Sequence, residues 1–144
     1  MFHKSPDERL SDWVEFRKEL DSLDDPLTQL TEFWSNAPLI VHNHLIDPHN
    51  PKSWPTPWEI LYDNKYDDFT LALMIGYTLK LTKKFSSDKI EIRTMVDSSK
   101  TKLYNLVYVN DTDILNYDRH GIKKPNEIDN SLYLENIVEV IFPR

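Results

Sequence analysis

An α+β fold is the expectation for this chain, with helices first and a mostly antiparallel sheet after them. Three observations carry it. Caps followed at once by proline start helices near the N-terminus, residues 68–83 are apolar almost all round, and beyond Ser87 the apolar spacing changes from helical to alternating.

Ser5-Pro6-Asp7-Glu8 combines an N-cap, proline at the first helical position and glutamate two residues later, which predicts a helix running to about residue 23. Its apolar stripe is Leu10, Trp13, Phe16, Leu20 and Leu23. Asp25-Pro26 repeats the signal, and Leu27, Leu30, Phe33 and Trp34 make a second helix that ends before Pro38, so the pair reads as a hairpin. Thr56-Pro57-Trp58-Glu59 is a further capping box. Asp67 or Asp68 caps the helix over 68–83, which should be the central helix of the fold. Gly76 in its middle costs up to about 1 kcal/mol of helix propensity, which predicts a close approach of the sheet at that point.

Ile90, Ile92, Thr94 and Val96 alternate with Lys89, Glu91, Arg93 and Asp97, as in a half-buried strand. Residues 102–109 and 114–117 follow as two more strands of an antiparallel meander, joined by turns at 97–100 and 110–113. A loop through Arg119, His120 and Gly121 leads to a last strand around 137–142.

With 144 residues, 40% of them apolar, one domain over 1–144 is expected. No cysteine means no disulfide, thiolate ligand or Cys nucleophile, and two glycines exclude a phosphate-binding glycine loop. No signal peptide or membrane span is expected, which points to a cytoplasmic protein with no cofactor. The net charge is −7, and its excess of acid lies before residue 70, where most acids fall on helix surfaces. Lys80, Lys83, Lys84 and Lys89 cluster at a helix end and form no basic stripe, so nucleic acid is not the expected partner.

Three constellations could carry chemistry. If residues 39–44 are a strand, His42 and His44 share a face, and the turn at Asp47-Pro48 could bring Asp47 or His49 round to complete a metal site; ordinary loop chemistry accounts for the same residues. Tyr66-Asp67-Asp68, with Asp118 and His120 downstream, could supply a general base, and helix capping explains the two acids as well. The indoles of Trp54 and Trp58, set among prolines, could contact a partner or close the edge of the core.

The order of Tyr66-Asp67-Asp68-Phe69-Thr70, Lys102-Leu103-Tyr104-Asn105-Leu106 and Ile114-Leu115-Asn116-Tyr117-Asp118 resembles the transglutaminase-like branch of the papain-like cysteine hydrolases. That family starts a buried helix with Cys, heads a following strand with His and ends the next with Asp. The resemblance places Tyr66 or Asp67 at the Cys position and Lys102 at the His position, leaving Asp118 alone of the triad. Without thiolate and imidazole the chemistry fails, so it implies a groove beside Asp67, Asp68, Lys102 and Asp118 that binds without cleaving. The WPTPWE segment also resembles small uncharacterised proteins of tailed phages and marine environmental sequences. The resulting expectation is a non-catalytic accessory protein, phage-encoded by that resemblance, that binds a protein partner. The alternatives are a metal-dependent hydrolase at His42 and His44 and a degenerate transglutaminase-like hydrolase.

Overall fold

Ser5 accepts a hydrogen bond from the Glu8 N–H and begins α1, Pro6–Leu20. Asp25 does the same for the Thr28 N–H at the head of α2, Pro26–Trp34. The computed structural model describes residues 1–99, 101–118 and 121–142. The two helices meet as the expected hairpin where the Phe16 and Phe33 rings stack, their centroids 3.9 Å apart. α1 ends three residues earlier than its apolar spacing predicts. Its cap residue Asp21 accepts from the Lys84 N–H, and the Lys84 ammonium donates to the Leu23 carbonyl, so the chain turns off to meet the end of another helix.

Thr56 and Glu59 form the predicted capping box of α3, Pro57–Asp63, which ends on Asn64 in the left-handed conformation. Arg9 of α1 is buried against this end. Its guanidinium donates to the carbonyls of Leu61, Tyr62 and Lys4 at 2.9, 2.8 and 2.5 Å, so a cation sits where a helix C-terminus is most negative.

α4, Asp68–Lys80, is buried at every position from Phe69 on, and the Trp13 indole of α1 donates to Thr78 on it at 3.0 Å. It ends at Lys80 and not at residue 83, because the Lys80 ammonium turns back to the carbonyls of Asp88 and Ser86 and the chain enters a 3-10 turn at Lys83–Phe85.

Against α4 lies the sheet of β1 (Ile90–Val96), β2 (Leu103–Val109), β3 (Asp113–Asp118), β4 (Gly121–Lys123) and β5 (Tyr133–Glu139), in the order β4-β3-β2-β1-β5, every pair antiparallel. Ile90 opposite Val109, Ile92 opposite Val107 and Thr94 opposite Asn105 turn one face to the helices. Leu106, Tyr108 and Ile114 form a smaller cluster on the other face, with Met95, Tyr104, Tyr117 and Ile128 against it.

Three expectations need correction. Residues 39–44 form no strand: Leu39 makes one isolated parallel bridge to Tyr66, and Asn43 then folds the chain, its N–H held by Asp67 and its side-chain oxygen by the Leu45 N–H. β4 stands in part of what was expected to be loop. The last strand spans Tyr133–Glu139 in place of 137–142, because Leu134 and Asn136 find Met95 and Thr94 across β1 while Ile141 and Phe142 stay exposed.

The close approach at Gly76 is made by the side chain of Val140, the residue just past β5. A Cβ built there would sit 2.9 Å from Cγ2 of Val140, whose N–H donates to Ile90 at 2.8 Å. Overpacking a core costs about 1–3 kcal/mol and the helix propensity gained on leaving Gly returns at most about 1, so Gly76→Ala should destabilise by about 1 kcal/mol. The same change made in a Val140→Ala background should stabilise, and urea unfolding of the four proteins checks the coupling.

Candidate functional site

The N-terminus of α4 has no neighbouring helix turn to satisfy it, and Asp67 supplies the acceptor. Its Oδ1 takes the Thr70 N–H at 2.8 Å and the Thr70 hydroxyl at 2.6 Å, and its Oδ2 takes the Asn43 N–H at 3.0 Å. The His42 imidazole approaches the same Oδ2 at 3.8 Å, outside hydrogen-bond distance. Asp67 is therefore committed to capping and to pinning the loop that precedes α3.

Asp68, next in sequence, points at the sheet. Its Oδ2 accepts from both the backbone N–H and the side-chain amide of Asn105 on β2, at 3.1 and 2.9 Å, and its Oδ1 from the Asn116 amide on β3 at 3.3 Å. Asn105 in turn accepts from the Thr94 hydroxyl at 2.8 Å, and its carbonyl accepts from the Asn116 amide at 2.9 Å. Asn116 reaches both because its φ of 70° bends β3, a conformation that asparagine tolerates better than most residues. Crowding by these groups raises the Asp68 pKa above the usual carboxylate value; the three hydrogen bonds oppose that shift, and the adjacent Asp67 charge adds to it. The residue as a whole stays open to the groove, so solvent screening limits the effect.

The groove itself has a volume of about 420 Å³. Val41, His42, Ile46, Pro48 and His49 wall it on the loop side, Asp67, Asp68 and Phe69 at the head of α4, Thr94, Leu103 and Asn105 on β1 and β2, and Glu135 and Asn136 on β5. Of the four groove residues expected from sequence, it brings together Asp67 and Asp68 only. Lys102 precedes β2, exposed, with its ammonium 4.9 Å over the Tyr104 ring. Asp118 ends β3 beside a separate narrow crevice with Thr31, Trp34 and Ser35. The strand residues that face the helix start are Asn105 and Asn116, three and two positions away from those expected. His120 lies outside the described residues.

The metal expectation meets a different arrangement. The His42 and His44 rings touch at right angles, 4.9 Å apart, on an exposed loop, while Asp47 is occupied by the His49 N–H at 2.9 Å. Among the described residues no group of three or more His, Cys, Asp or Glu side chains is gathered as a metal would need. Trp54 packs its ring on Phe69, 5.5 Å between centroids, and donates to the Asp47 carbonyl at 2.7 Å. Trp58 sets its edge on Trp13 and leaves about two fifths of its surface exposed. Trp54 also borders a second groove of about 250 Å³ with Pro55, Tyr77, Ile141 and Phe142.

Glu135 and the two asparagines were missed in the sequence. Asn105 interrupts an otherwise apolar run at a position whose alternation demands burial, a readable signal; Glu135 lies outside the strand expected at 137–142, and only the sheet order puts it at an edge. Compared with protein-family models, curated proteins and solved structures, the chain matches none. No helix among the described residues is long and apolar enough to cross a membrane.

The direction of the Asp68 shift has a consequence for stability. Its folded pKa lies above the unfolded one, so its contribution is largest below an unfolded pKa of about 3.9 and is lost as pH rises through the folded value. A side-chain ¹³C titration should give Asp68 a midpoint above about 3.9. Asn105→Ala and Asn116→Ala should each move that midpoint up, since each removes a hydrogen bond to the charged form.

Proposed function

We propose that this protein acts by binding a partner protein and not by catalysis, and that the groove at the head of α4 receives a basic segment of that partner. One observation carries the reading: Asp67, Asp68 and Glu135 stand in the groove walls together with apolar Val41, Ile46, Phe69 and Leu103, and among the described residues no lysine or arginine lines it. A Lys or Arg side chain fits such a surface, its stem on the apolar wall and its charge toward the carboxylates. A nucleic acid would bring phosphates to the same carboxylates, against Coulomb repulsion. Trp54, rigid and partly exposed beside the neighbouring groove, offers further contact area at small entropic cost.

Against catalysis stands the character of the groups at the helix start. The chain has no thiol, and Asp67 is held in three hydrogen bonds of the fold. We place the encounter in the cytoplasm, which suits a chain without cysteine, and regard an accessory role during phage infection as its setting.

Heptalysine is the probe that tests the groove. Calorimetry at low salt should detect binding that Glu135→Gln weakens about tenfold and that 0.5 M salt abolishes, in keeping with attraction between partly exposed charges. Glu15→Gln, on the exposed face of α1, should leave it unchanged. Equal sensitivity to the two substitutions would mean diffuse attraction to an acidic surface and would sink the groove.

A further inference from the structure

If the groove takes a basic segment as proposed above, the sheet beside it specifies the form in which that segment arrives. β5 is an edge strand of seven residues, paired to β1 alone. Among the described residues no backbone hydrogen bond reaches it from its other side. Such an edge is a template for one more strand unless charge or shape prevents it.

The side chains around β5 select what can pair there. Glu135 stands at the register shift between β1 and β5 and, with Asn136, faces the groove that holds Asp68. Opposite the groove, Leu134 and Ile137 are about half exposed and give the outer side of the edge an apolar patch, with Arg93 across from Ile137. A second copy of this chain would set the carboxylates of its own β5 against the same edge, at a net charge of −7 per chain. An extended partner with basic residues on alternate positions meets both sides.

We propose that the partner's basic segment binds as a sixth strand on the open edge of β5, its Lys or Arg side chains entering the groove toward Glu135 and Asp68 and its alternate apolar side chains lying by Leu134 and Ile137. Backbone hydrogen bonds supply affinity in this mode, and the two faces supply selection.

The probe is the acetylated, amidated heptapeptide Lys-Val-Lys-Val-Lys-Val-Lys, with two variants N-methylated on every valine or on lysines three and five. In a strand, the N–H groups of alternate residues point to opposite edges, so the two variants block opposite sides of the peptide. One variant should lose at least tenfold in affinity and the other should bind within twofold of the parent, while hydrogen exchange slows at β5 amides that are unpaired in the free protein. Loss by both variants or by neither would overturn the strand, as would protection confined to residues outside β5. Binding of heptalysine without binding of the alternating peptide would overturn it too and leave the groove standing. Failure of both peptides to bind would remove the groove and the strand together.

Discussion

A helix with no face toward water sets the terms for the rest of this molecule. From Phe69 to Lys80 every residue of α4 is buried, so most of the polar groups toward its ends depend on the protein to satisfy them. Leaving one such group without a partner costs about 1–3 kcal/mol, comparable with a substantial part of a domain's net stability. At the C-terminal end the Thr82 hydroxyl donates to the Thr78 carbonyl and Arg17 to that of Leu81, at 2.6 and 3.3 Å. At the N-terminal end the work falls to Asp67, which holds the helix and the loop before α3 with one carboxylate.

That solution has an electrostatic consequence. Carboxylates are favoured at a helix N-terminus, and two of them in succession leave the head of α4 negative where it opens to solvent. Asn105 and Asn116 answer Asp68 with amide donors that carry no charge, so the strands satisfy its hydrogen bonds and do not neutralise it. Glu135 adds a third carboxylate from the edge of the sheet. The acidic character of the groove thus follows from how the buried helix is capped and from which strand lies at the edge. Asp111, by contrast, is paired with Lys89 and Arg93 at 2.7 and 2.6 Å; the hydrogen bond from Lys89 and the two charges hold its pKa below the usual carboxylate value.

Elsewhere cations do structural work. Arg9 covers carbonyls at the end of α3, and Lys80 covers those that follow α4. Arg9 is not singled out in the sequence, and Lys80 stands there only as one of a lysine cluster at a helix end. Burial turns them into fasteners, because a cation among carbonyls inside a protein is worth more than the same cation in water and must be fully bonded to be tolerated.

What the sequence by itself determined was local: the proline-and-cap starts of α1, α2 and α3, the all-round apolar α4, and the alternating β1 and β2, since each depends on residues within a few positions of one another. The antiparallel sheet and the α+β class follow from those elements and their short connections. The candidate site was half legible, in Asp67 and Asp68, because capping is written in adjacent residues. Its other half was not. Lys102 and Asp118 were expected there by their order in the chain, yet strand register and the bend at Asn116 put Asn105 and Asn116 against Asp68 instead. The strand at 39–44 on which the metal reading depended does not form, because Asn43 donates its N–H to Asp67 and accepts from the Leu45 N–H. Which strand would be the edge, and so whether Glu135 faces a groove or a neighbour, depended on β5 crossing to lie beside β1, a pairing between residues far apart in the chain, such as Val96 with Tyr133 and Glu91 with Glu139, that no local pattern records.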